Sequence, residues 1–197
     1  MKFKIFGTQI NVTFLFVAFI CFTVFIDKSG YILYMILAVS LHEAAHLFTM
    51  KIVGCSPKEI WLIPTSIRIV RNITVKESHE IAVSLSGPLV NILFFFLFYC
   101  VFLLSGNDGT LNFSVINLLI GVFNLLPVNG LDGGIILKKL LEKVISREKA
   151  ALAVKSLTLL LSVLFIVFGV KTFTDSAYNF TPIILGIYLI LSVIIKF

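Results

Sequence analysis

Charge is what this sequence has least of. Of its 197 residues, 13% are Asp, Glu, Lys or Arg and 59% are hydrophobic, with a mean hydropathy of +1.08. Those values lie far outside the soluble range, and a soluble core of this size does not need 20 Phe. Cysteine is equally sparse: Cys21, Cys55 and Cys100 form an odd, unpatterned set, which excludes a disulfide framework and a cysteine metal site. No large soluble domain, internal repeat or low-complexity segment is visible. The formal charge of +6 and pI near 9.3 could suggest a nucleic-acid partner. The basic residues are scattered among short loops between apolar runs, however, which is the positive-inside pattern of a membrane protein, with the lipid bilayer as partner and no nucleic acid.

Six apolar segments are present, at about residues 12–26, 31–50, 81–104, 113–126, 150–170 and 180–195. The expected fold is therefore an all-α polytopic membrane protein of about six transmembrane helices, forming one domain over residues 1–197. Lys2 and Lys4 before the first run resemble the start of a signal sequence, but no small-residue cleavage site follows, so the run reads as a retained span. Six spans put both termini on one side. The terminus-side regions hold thirteen Lys and Arg, the opposite loops only Lys28 and Lys171, and Lys155 is left at the start of the fifth span. This bias puts both termini in the cytosol, in a multi-pass protein expected in a bacterial cell membrane.

Residues 51–80 are not an ordinary linker. The stretch 59–70 is β-branched and aromatic and is divided by Pro64. It reads as a small membrane-associated β-hairpin between the second and third spans, with Pro64 near an edge or bend, or as a hydrophobic surface loop. Residues 60–70 are the only strand-like stretch in this reading.

The few ionisable groups inside the apolar runs carry the chemistry. His42, Glu43, Ala44, Ala45 and His46 lie within the second segment. A four-residue separation puts both imidazoles on one helix face, roughly 40° apart, with Glu43 about 100° further round than His42. This is zinc-protease spacing: two neutral imidazole ligands and a glutamate to take a proton from water. Such groups are costly in hydrocarbon unless they bind or do something. With the second span running inward to Lys51, the pair lies in the cytosolic half of the bilayer.

Two imidazoles want a third protein ligand, and Asp132 is the other carboxylate at depth. The fourth segment has 14 regular residues before Pro127, or about 21 Å, which leaves about 9 Å of hydrocarbon to cross. Pro127 and the turn pair Asn129-Gly130 make residues 127–134 irregular there, tolerated only beside a cavity or buried in protein. Asp132 is either that ligand or a cap for a following helix over 135–145. Asn124, one turn before Pro127, either satisfies backbone groups freed by the break or donates to an oxyanion. Gly87 and Pro88 predict a close, kinked helix crossing, with Asn91 as hydrogen-bonding glue. His79 reads as a solvated loop side chain.

Together these residues carry a resemblance. HEAAH in one span, Ser86-Gly87-Pro88 through Asn91 in the next, and Asn124 through Pro127 followed by Asp132-Gly133-Gly134 resemble the site-2 protease family of intramembrane zinc metalloproteases. The three motifs span about half the chain in the family's order. The short form looks most like the branch containing a sporulation sigma-factor-processing protease, without its C-terminal CBS domain. The resemblance implies zinc held by His42, His46 and Asp132, with Glu43 as general base or acid and a hairpin that holds substrate extended. Ala45 stands where the family usually has Gly, Gly130 where this branch often has Pro, and Thr65-Ser66 where a Phe-Gly pair is more familiar; none of these removes a chemical group. The implied function is cleavage of a membrane-tethered or single-span protein near the cytosolic face, in regulated intramembrane proteolysis. A metal-ion or proton transporter should have polar groups through the whole thickness and paired halves. A non-catalytic membrane-partner binder should have lost Glu43 or a ligand. Neither feature is present.

Overall fold

The computed structural model describes residues 2–5, 8–63, 66–70, 76–176 and 180–194, in two compact units, Met1–Val122 and Phe123–Phe197. The first unit opens with strands β1 (Lys2–Ile5) and β2 (Thr8–Val12), followed by helices α1 (Phe14–Ile26) and α2 (Tyr31–Ile52). Thr13 starts α1: its side chain accepts from the Phe16 N–H at 3.3 Å, satisfying one of the orphan donors at a helix start. Between the two helices Asp27 accepts from Ser29 Oγ at 2.5 Å, Ser29 N at 2.9 Å and Ile32 N at 2.8 Å. These bonds, the Ser29 hydroxyl first, hold its carboxyl below the ordinary carboxylate range. Gly30 takes the left-handed φ of 76° that the reversal requires.

Strands β3 (Glu59–Ile63) and β4 (Ser66–Val70) follow α2. The expected hairpin is present, while Pro64 and Thr65 lie outside the described residues. The hairpin is not the only strand structure, which corrects the sequence reading. The four strands form one sheet in the order β1-β2-β3-β4, with β2 and β3 parallel and the outer pairs antiparallel. Because β2 precedes α1 and β3 follows α2, their parallel pairing brings the chain after α2 back beside the start of α1.

The sheet's polarity follows from one bond. Gln9 N donates to Lys58 O at 2.9 Å, so the backbone groups of residues 58, 60 and 62 face β2 and those of 59, 61 and 63 face β4. The register Glu59↔Val70, Trp61↔Arg68, Ile63↔Ser66 then turns residues 66, 68 and 70 inward. The N–H and C=O groups of Ile67 and Ile69 are left on the outer edge. At the opposite edge the outward groups are those of Lys2 and Lys4.

Helices α3 (Glu77–Ser105) and α4 (Asp108–Asn124) complete the helical part of the first unit, with the end of α4 passing into the second. Pro88 lies inside α3, which continues through it. In the second unit α5 (Asp132–Leu141), α6 (Arg147–Ser176) and α7 (Thr181–Ile194) follow seven irregular residues, 125–131. The fifth helix starts earlier than the expected 135–145, and Gly133 and Gly134 are helical. The reason is packing: a Cβ at Gly133 or Gly134 would run into the carbonyls of Leu125 and Val128, so only glycine lets the helix begin that close to the bend.

Among the described residues, three helices are long and apolar enough to cross a membrane, α2, α3 and α6 over residues 147–174, and α1 and α7 are shorter apolar helices. Large apolar side chains point outward along them, with Phe25 88% and Leu104 90% exposed. Such surfaces suit lipid rather than water, and the chain is an integral membrane protein.

Candidate metal centre

Where α2 meets α3, polar side chains are buried among apolar ones. His42 (4% exposed), His46 (7%) and Asn91 (0%) are buried between α2 and α3. The helical period puts both imidazoles on the α2 face turned to α3. There Gly87 makes room: a Cβ at that position would stand 2.6 Å from His46 Nε2 and 2.7 Å from His42 Cε1. The close crossing expected at Gly87 is thus present, and what it approaches is the pair of rings. Gly121 of α4 fits closely on the same helix, its missing Cβ lying 3.1 Å from Pro88 O.

Each ring is held at Nδ1. His46 Nδ1 is 2.7 Å from Val83 O, which can only accept, so Nδ1 carries the hydrogen. Ser86 Oγ lies 3.4 Å from the same nitrogen and donates to Val83 O at 2.7 Å. His42 Nδ1 is 2.6 Å from Asn91 Oδ1. That amide is turned by Ala38 O, another obligate acceptor, to which Asn91 Nδ2 donates at 3.1 Å. A neutral ring with hydrogen on Nδ1 carries its lone pair on Nε2.

The two Nε2 atoms converge to 3.1 Å. Two facing lone pairs at that distance repel unless a cation lies between or beside them. Zinc–nitrogen bonds of about 2.05 Å at a tetrahedral angle separate their nitrogens by ~3.3 Å. The donor set therefore fits zinc, and the Nδ1 contacts are the outer partners that fix a metal-binding imidazole. Asn91 was expected as helix glue and does join α3 to α2, but it also bonds to His42.

Glu43 is half-buried on α2, one residue beyond His42. Asn124 is the last residue of α4, half-buried at the start of the bend. Asp132 is the first residue of α5, and Leu131 rather than Asp132 occupies the cap position. The segment leading to Asp132 is tied down within its own unit. Leu131 N donates to Val128 O at 3.1 Å across a turn in which Gly130 has φ 92°, as the Asn-Gly pair predicts. Asn129 N donates to Thr158 Oγ1 on α6 and Asn129 Nδ2 to Ser192 O on α7, both at 2.9 Å. His79 lies in the first turn of α3, apart from the buried pair.

The chain is similar to known proteins. The model of peptidase family M50 matches residues 109–169. A zinc metalloprotease of Methanocaldococcus jannaschii is 27% identical over 179 residues, covering 85% of this chain and 52% of that protein. The chain thus spans about half the length of the curated relative it matches. A solved site-2 protease from Methanocaldococcus jannaschii shares the fold, with a TM-score of 0.70 at 23% identity over 98% of this chain and 93% of that one.

Proposed function

We propose that this chain, which matches the model of peptidase family M50 over residues 109–169 and shares the fold of a site-2 protease, is a zinc-dependent intramembrane endopeptidase of that family. Its residues 1–197 act as one protease domain, cutting a membrane-tethered or single-span protein near the cytosolic face. The observation that carries this reading is the buried pair of Nε2 atoms 3.1 Å apart, each ring anchored through Nδ1. Asp132 is the third ligand. Its support is a carboxylate heading α5 after an irregular stretch of an apolar sequence, with the cap position taken by its neighbour. The orientation follows the charge bias, with six spans and both termini cytosolic.

Zinc held by His42, His46 and Asp132 would supply Lewis acidity and lower the pKa of a water towards ~7. Glu43 accepts the proton of the attacking water and returns it to the leaving amine. Asn124 donates a hydrogen bond to the oxyanion that forms at the scissile carbonyl. The outer edge of β4 receives the substrate. A helical substrate hides its carbonyls in its own hydrogen bonds and must unwind before cleavage. The outward N–H and C=O groups of Ile67 and Ile69 can pair with the unwound segment by strand addition. Lys2 and Lys4 at the other edge are residues that discourage pairing. Substrates should therefore carry helix-weakening residues near the cytosolic boundary.

The test is co-expression with single-span substrates, scored by product size, with zinc measured on the purified protein. Glu43→Gln should retain zinc and abolish cleavage, and Asp132→Ala should lower zinc content in a folded protein. Full activity of Glu43→Gln would overturn the mechanism, and undiminished zinc in Asp132→Ala would reduce that residue to a helix-start acid.

A further inference from the structure

The orientation of Asn91 decides which nitrogen of His42 carries hydrogen, and it is set by two acceptors, Ala38 O and a second one further away. Asn91 Nδ2 has two acceptors, Ala38 O at 3.1 Å and Asn117 Oδ1 at 2.9 Å. Asn117 lies on α4, fully buried, and its own Nδ2 donates to Phe113 O, one turn back, at 2.9 Å. A backbone carbonyl cannot donate. Phe113 O therefore fixes the sense of the Asn117 amide, whose oxygen fixes the sense of Asn91, whose oxygen in turn faces His42 Nδ1 at 2.6 Å. The bonds run in one direction, from a carbonyl of α4 through two buried amides to a ring of α2.

We infer that Asn117 is a positioning residue that holds His42 as the Nδ1–H tautomer through Asn91, keeping the Nε2 lone pair available to metal. The inference rests on the reading of His42 as a zinc ligand. Its physical content is the sense of the bonds. An Asn91 amide turned over would offer N–H to His42 Nδ1 and favour hydrogen on Nε2, which removes the ligand lone pair. Asn91 has two amide hydrogens and Ala38 O is one acceptor for them. Asn117 Oδ1 takes the second, so that both are satisfied only in the productive orientation.

The experiment uses the full chain in detergent, with Asn117→Leu, which removes the acceptor at similar volume, and Asn117→Asp, which keeps an acceptor oxygen towards Asn91. Nitrogen chemical shifts of histidine-labelled, metal-free protein report the His42 tautomer, and competition with a chromophoric chelator reports zinc affinity. Wild type and Asn117→Asp should show His42 with hydrogen on Nδ1. Asn117→Leu should show a population with hydrogen on Nε2 and bind zinc about tenfold more weakly, at the lower end of what loss of an outer-shell partner costs. Wild-type tautomer and affinity in Asn117→Leu would overturn the inference. So would hydrogen on Nε2 of His42 in the metal-free wild type, a measurement that stands even if the Leu variant does not fold. An Asn117→Asp protein that folds with hydrogen on Nε2 would also overturn it. A wild-type protein that binds no zinc would instead overturn the metal reading, while the tautomer measurement still reports on the relay.

Discussion

The two regions that supply the proposed ligands are built in opposite ways. His42 and His46 stand on α2, a regular helix, whose period brings both to one face. Asp132 stands at the first residue of a helix that follows seven irregular residues. Both regions depend on glycine, but against different neighbours. At Gly87 the nearest atoms are the ends of imidazole side chains at 2.6–2.7 Å, whereas at Gly134 they are the backbone of Val128. A side chain can rotate away from an intruding methyl group, and a carbonyl held in a turn cannot. In one region glycine shapes the site, and in the other it permits the fold.

Alanine at the two positions tests that contrast. Gly134→Ala should have the larger effect, because its methyl group can be accommodated only by moving the bend away from α5. The cost should be at or above the upper end of the ~1–3 kcal/mol typical of overpacking. It is read as a lowered melting temperature in detergent and a poor yield of folded protein. An Ala variant as stable as wild type would show that the bend is not held against α5. Gly87→Ala should fold, with the imidazoles pushed off their Nδ1 partners. Its zinc affinity should drop by at least the ~10–100-fold that loss of outer-shell support costs, with little change in melting of the metal-free protein. Equal loss of stability in both variants would remove the distinction between the two regions.

What was legible in the sequence divides along the same line. The histidine pair follows from a local period, and Gly87-Pro88 gives the close crossing, since both signals are contained within a few residues. The bend after Asn124 is legible from Pro127 and Asn129-Gly130, each a backbone constraint. Where contacts are distant in sequence, the reading stops. His42 and Asn91 are 49 residues apart and Asn91 and Asn117 are 26 apart, so Asn91 was legible as an amide joining helices but its partners were not, and Asn117 was not singled out. Gly133 and Gly134 looked like loop because glycine is a poor helix former, yet close packing overrides that propensity. The first two strands were hidden by brevity. Lys2 and Lys4 alternate with Phe3 and Ile5, and Gln9 and Asn11 with Ile10 and Val12, which is a period of two. Before an apolar run the same lysines also read as the charged flank of a span. Only pairing with β3 distinguishes the two.

The smallest expected effect lies at the edge of that sheet, where the contrast between groups that hold the fold and groups that face a partner runs along a single strand. In β4, the backbone of Arg68 bonds inward to Trp61, whereas Ile67 and Ile69 turn their N–H groups outward. Proline removes the N–H and is tolerated in a sheet only where no ladder bond is lost. Ile67→Pro or Ile69→Pro should therefore leave zinc content and melting unchanged and delete one donor available to the substrate. A hydrogen bond contributes about 0.5–1.5 kcal/mol net, so cleavage of a co-expressed single-span substrate should slow by roughly two- to tenfold. Arg68→Pro removes a ladder bond instead, and should lower stability along with activity. If the outward prolines cleave at the wild-type rate while Arg68→Pro loses activity only in proportion to its stability, β4 supports the sheet without presenting substrate. A selective loss in the outward pair would establish that the substrate is extended along this edge when it is cut.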